Sequence, residues 1–154
     1  MSGRHEEPVR ERTGLSPERV AEAERVVTRV TRWAAGRGDL VGVLLVGSYA
    51  RGAARADSDI DFVVLTEDRT SYSGSGWADE LALGDPVGSK SWGPVEEQRF
   101  VTASGLEVDV CIGSPEWAGT RPVDSGTHRV VADGARALHD PTGVLASLIE
   151  ACRS

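Results

Sequence analysis

The sequence predicts an α/β (α+β) fold, a small mixed β-sheet with flanking helices. Two observations carry that prediction. Helical periodicity appears near both ends of the chain, and short apolar runs bounded by turn residues fill its middle. The size agrees, since 154 residues suffice for one domain with one sizeable core. The order helix, strands, hairpin, helix is that of an α/β or α+β domain.

Residues 1–15 are polar and aperiodic and are expected to be a disordered tail, leaving 16–154 as a single domain. Ser16-Pro17 reads as an N-cap followed by proline at the first helical position. Val20, Ala23, Val27, Val30 and Ala34 then recur at three- and four-residue steps, an amphipathic helix that Gly36 and Gly38 end. The runs 41–46 and 59–65 read as short buried strands, and 49–54 between them as one or two helical turns. Residues 66–76 are loop-like, with a short helix expected around Trp77–Leu83. Gly84 to Pro94 reads as irregular, with a short strand near Val87. Gln98–Ala103, Ser104-Gly105 and Leu106–Ile112 form a hairpin pattern. A turn or short helix should begin at Ser114-Pro115, and Val130–His139 fits helix or strand. Asp140-Pro141 is a second cap-and-proline start, and Leu145, Leu148, Ile149 and Cys152 mark one face of a closing helix.

Composition narrows the function classes. The formal net charge of −7 argues against a general nucleic-acid grip, which needs a basic face. Cys111 and Cys152 form no C-x-x-C and only three histidines are present, so neither a zinc site nor a disulfide framework is expected. No apolar run approaches membrane-spanning length, and the charged start lacks the apolar segment of a secretory signal. The expectation is a cytoplasmic protein with reduced thiols, no nucleic-acid partner and no membrane.

The chemistry concentrates in VGVLLVGSYARGAARADSDIDFVVL, residues 41–65. Side chains at i and i+2 of a strand share a face, so Asp59 and Asp61 point the same way. Two adjacent carboxylates repel, and burying them unpaired costs several kcal/mol, roughly. A divalent cation removes that cost, and Mg²⁺ typically takes such carboxylates together with substrate phosphates. Alone, a D-x-D more often caps a turn. Here Gly47-Ser48 ends the preceding strand; glycine admits close approach of a ligand and serine supplies a hydroxyl. Helical turns over 49–54 would offer N–H groups to phosphate, with Arg51 nearby. There is no G-K-[ST] loop and no G-x-G-x-x-G.

Gly47-Ser48-Tyr49-Ala50-Arg51-Gly52 followed by Ser58-Asp59-Ile60-Asp61 resembles the DNA polymerase beta-like nucleotidyltransferase superfamily, above all its small bacterial members, the minimal nucleotidyltransferases and aminoglycoside adenylyltransferase-like proteins. The resemblance implies that fold and a third carboxylate on a later strand. Asp109, flanked by Val108 and Val110, fits that place; Glu107 lies on the same face and either joins or replaces it. The resemblance further implies catalytic and metal-binding Asp59, Asp61 and Asp109, two Mg²⁺ ions, and phosphate contacts from Gly47, Ser48, Arg51 and Ser58. ATP is the implied substrate.

Three functions follow. The first is transfer of AMP to a hydroxyl of a small molecule such as an antibiotic, with a possible homodimer completing the acceptor pocket. The second is a minimal nucleotidyltransferase antitoxin that adenylylates a HEPN-type partner protein. The third is a catalytically inactive, nucleotide-binding relative. Lys90 and Arg99, and Trp77, Trp92 and Trp117, are expected to be surface and packing residues respectively.

Overall fold

The computed structural model describes residues 15–92 and 95–153. The tail expected over 1–15 lies outside them apart from Leu15. Helix α1 (Pro17–Ala35) starts as its sequence demands: the Ser16 hydroxyl accepts from the Arg19 N–H at 3.1 Å, and Pro17 occupies the first turn. Its buried face is Ala23, Val26, Val30, Trp33 and Ala34. That is rotated from the expected stripe, because the large Trp33 ring takes the core position and Val20 is left exposed.

Six strands follow: β1 (Leu40–Val46), β2 (Ile60–Thr66), β3 (Asp85–Trp92), β4 (Val95–Val101), β5 (Glu107–Gly113) and β6 (Ala135–His139). They form one sheet in the order β3-β4-β5-β2-β1-β6. The central pair β2 and β5 is parallel and the other neighbours are antiparallel, so the sheet is mixed, as expected. β1 and β2 are almost wholly buried, which explains the apolar runs Val43–Val46 and Phe62–Leu65 within them. On one face, α1 and an aromatic cluster of Trp33, Tyr72, Trp77 and Phe100 cover the sheet. On the other, Leu44, Val46, Val63 and Leu65 pack with Leu145 and Leu148 of helix α3 (Val144–Ala151) and with Val131 of helix α2 (Ser125–Ala132).

Three local expectations change. Gly84 to Pro94 is not irregular: Asp85–Trp92 is an eight-residue edge strand. An edge tolerates Pro86 and the register shift beside it, and it has no apolar stripe to betray it. Residues 49–54 form turns rather than helix, with the Ala50 and Arg51 N–H groups donating to the Gly47 carbonyl at 3.0 and 3.2 Å. Gly52, at φ +73°, turns the chain away. The ambiguous 130–139 segment is the end of α2 and then β6. Asp140 does cap the closing helix, accepting from Leu145 and Ala146 N–H at 2.9 Å each, although Pro141 stays in the turn before it.

Candidate active site

Asp61 and Asp109 stand side by side because the parallel strands β2 and β5 pair with those two residues in register. Asp59 immediately precedes β2. One carboxylate oxygen from each of Asp59, Asp61 and Asp109 lies within 4.8 Å of the others. Asp109 is buried at 4% exposure, and Asp59 and Asp61 are half-buried. The site is therefore a row across the sheet, running Val46, Asp61, Asp109 and Arg99 on β1, β2, β5 and β4.

The electrostatics show what the row can bind. Burial, together with the adjacent Glu107 and Asp109 carboxylates, pushes the Asp59 carboxyl up to about 7. Burial and the charges of Asp109 and Asp59 push Asp61 up to about 7 as well. These groups hold protons where free carboxyls would not, because full ionisation places like charges together. Three hard oxygen donors under mutual repulsion fit a divalent cation such as Mg²⁺.

Gly47 is fixed by this arrangement. Its φ is +79°, and a β-carbon there would stand 2.7 Å from Asp61 Oδ2. Glycine thus lets the first strand's end lie against the second aspartate. Its N–H donates to the Gly134 carbonyl at 3.3 Å, which ties the turn to the α2–β6 junction. Ser48 follows in the same turn, half-buried. The expected helix N-terminus facing phosphate is absent, so any phosphate here meets a turn instead. Arg51 points to the end of α2, where Nη1 donates to the Asp133 carbonyl and to Asp133 Oδ2, each at 3.1 Å. Ser58 closes its own turn: its hydroxyl accepts from the Arg55 N–H at 2.8 Å, and its N–H donates to the Arg55 carbonyl. That turn delivers Asp59 to the strand entrance.

Arg99 belongs to the site, contrary to its expected surface role. Its Nε donates to Asp109 Oδ1 at 2.7 Å and Nη2 to Asp109 Oδ2 at 3.1 Å. Nη2 also lies 3.5 Å from Asp59 Oδ2, and Nη1 3.4 Å from Glu107 Oε1. Hydrogen bonding to Asp109 raises the guanidinium pKa further. A signal existed in the sequence: the hairpin about Ser104-Gly105 places Arg99 opposite Asp109. Glu107 reaches the same guanidinium, but its side chain is 44% exposed against 6% for Asp109.

A cleft of about 910 Å³ opens beside the row, with Gly47, Asp61, Cys111, Trp117 and Thr127 in its walls. Burial pushes the Cys111 thiol up to about 12, so it lines the cleft as a neutral group. Of the tryptophans, Trp117 faces this cleft, whereas Trp77 packs in the aromatic cluster and donates to Gln98 at 3.1 Å. The Trp92 side chain lies outside the described residues. On the other side of the row, a hollow of about 240 Å³ is lined by Val87, Gly88, Ser89, Lys90, Glu97 and Arg99.

Residues 31–129 match the family described as "Nucleotidyltransferase domain", a span that holds every carboxylate of the row. Among solved structures, the chain is similar to the polymerase core of TRAMP, an RNA surveillance complex, at 22% identity and a TM-score of 0.47. That likeness covers 66% of this chain and 33% of the other, so the chain spans about a third of that protein's length. No curated protein matches it. Among the described residues, no helix is long and apolar enough to cross a membrane.

Proposed function

Starting from the fact that this chain belongs to the nucleotidyltransferase domain family, we propose that it transfers AMP from ATP to a hydroxyl of a small molecule, with Mg²⁺ held by Asp59, Asp61 and Asp109. The observation that carries the reading is the in-register pairing of Asp61 with Asp109, with Asp59 within 4.8 Å and Gly47 closed against Asp61. Mg²⁺ bound there supplies charge neutralisation on the phosphates and lowers the acceptor hydroxyl's pKa. ATP as donor rests on the likeness of GSYARG…SDID to small bacterial nucleotidyltransferases.

The chain's own residues set the direction of the reaction. Gly47 and Ser48 lie at the β1 end of the carboxylate row and are assigned the β- and γ-phosphates. Arg51 joins them only by leaving Asp133, and Ser58 supports Asp59 from its turn. In an in-line displacement the acceptor enters opposite the leaving pyrophosphate. It therefore arrives over β5 and β4, next to Asp109. The acceptor oxygen–Pα bond forms as the Pα–O bond to pyrophosphate breaks, and the acceptor proton passes to an Asp109 oxygen and on to solvent. The 910 Å³ cleft has room for a nucleoside against Trp117, and the 240 Å³ hollow at β3 and β4 suits a small acceptor group. Positioning and charge neutralisation provide most of the acceleration.

The test is incubation with Mg²⁺ and α-labelled ATP, GTP, CTP or UTP against a panel of hydroxylic acceptors that includes aminoglycosides, with a co-encoded protein as a separate arm. Pyrophosphate release with label on a small acceptor, lost in Asp59→Ala, is the expected result. Label on the protein alone would overturn the small-molecule acceptor. Failure to bind any nucleotide would overturn the metal and phosphate assignment as a whole.

A further inference from the structure

We infer that Arg99 is a tethered cation of the site: a positioning residue that holds Asp109 and Asp59 in place and competes with a divalent ion for the same carboxylate oxygens. The inference rests on the reading of Asp59, Asp61 and Asp109 as metal ligands and goes beyond it. Both oxygens of Asp109 are engaged by the guanidinium, at 2.7 and 3.1 Å, in the fork geometry that arginine alone provides. The same Nη2 lies 3.5 Å from Asp59 Oδ2. Every Asp109 oxygen that could meet an ion, and one of the two on Asp59, is thus an oxygen that Arg99 already touches.

Arg99 also has somewhere to go. Glu107 Oε1 is 3.4 Å from Nη1, and the Glu107 side chain is 44% exposed. Two cations cannot crowd one carboxylate without repelling each other. An ion that engages Asp109 therefore displaces the fork toward Glu107, which keeps the guanidinium paired at the rim. Arg99 would accordingly keep the acidic row compact before loading and hold divalent-ion affinity down until nucleotide phosphates add their own attraction. A purely structural role, neutralising the buried Asp109, predicts something else: loss of Arg99 would loosen the site and weaken ion binding.

Mn²⁺ titration of the full chain without nucleotide, followed by electron paramagnetic resonance, separates the two. Arg99→Met should bind Mn²⁺ roughly tenfold more tightly than wild type, and Arg99→Lys, which keeps the charge but not the fork, should fall between them. A folded Arg99→Met with unchanged or weaker Mn²⁺ affinity would overturn the inference. Should that variant fail to fold, wild-type protein decides: the Arg99 Nε–H resonance should shift as Mg²⁺ is added, and a resonance unmoved through Mg²⁺ saturation would overturn the inference equally. These results leave the metal reading intact, whereas no ion binding in any variant would overturn both.

Discussion

Replacing Gly47 by alanine tests whether the first strand's end is shaped around Asp61. Two costs arise, and they can be measured apart. The first is conformational: at φ +79° an L-residue pays about 1–2 kcal/mol. In a chain of this length that lowers Tm by a few degrees. The second is steric. The new methyl would sit 2.7 Å from Asp61 Oδ2, so the carboxylate must retreat by about 0.7 Å to reach ordinary contact. Displacements near 1 Å in a positioned catalytic group cost on the order of 10²-fold in rate. Gly52 supplies the control: its φ is +73°, yet a β-carbon there meets nothing within 4 Å. Gly52→Ala should lose similar stability and keep nearly full activity, while Gly47→Ala should lose both. The assay is pyrophosphate release with ATP, Mg²⁺ and the acceptor found in the panel, alongside melting curves for both variants. Equal activities in the two variants would refute the reasoning, because the clash with Asp61 is what distinguishes them.

The shared protons of the row make a pH prediction. Asp59 and Asp61 titrate at about 7 in the fold and near 4, roughly, in the unfolded chain. Their contribution to stability is therefore fully present below about pH 4 and is lost as pH rises through about 7. Chelator-treated protein should show Tm falling over that window, and saturating Mg²⁺ should flatten the fall; Mg²⁺ affinity itself should rise with pH and level off above about 7. Asp109→Asn should lose at least about 10³-fold in transfer, whereas Glu107→Gln, altering a half-exposed group, should stay within a few-fold; steady-state kinetics decide which carboxylate is the third. Trp117→Ala should raise the KM for ATP and also lower Tm, because the ring packs against the Leu44–Leu145 cluster as well as facing the cleft. Trp77→Ala should lower stability by about 3 kcal/mol with KM unchanged, as melting and initial-rate measurements would show.

Much of this fold was legible because its signals are local. Ser16-Pro17 specifies the start of α1, and the apolar runs Val43–Val46 and Phe62–Leu65 announce strands covered on both faces. The hairpin about Ser104-Gly105 and the closing helix were marked by their own turn and cap residues. β3 left no such trace. It is an edge strand with Pro86 and Gly88 inside it and its described side chains exposed, so neither alternation nor propensity favours it; pairing with β4 makes it a strand. The expectation of one or two helical turns over 49–54 stops short for the opposite reason: Tyr49, Ala50 and Arg51 tolerate a helix and the Arg51 N–H does close an i to i+4 bond on Gly47, but the left-handed Gly52 and the bond from Gly47 N–H to Gly134 redirect the chain.

The candidate site divides along the same line, and the division explains why Arg99 carries no local signal. Gly47, Asp59 and Asp61 sit within fifteen residues, so period two and a glycine's freedom were enough to bring them together. Asp109 required a second strand, but its apolar flanks marked it as buried, and a buried carboxylate demands a partner. A metal is one such partner, but it is not the first the chain meets. A carboxylate at 4% exposure needs a counter-charge through folding, whatever it later binds, and the nearest position able to supply one is directly across the hairpin. There the antiparallel register puts Arg99, ten residues away in sequence and 2.7 Å away in space. Isolated basic residues are usually solvated; one that faces a buried aspartate across a hairpin should be assigned to it before any other role is considered.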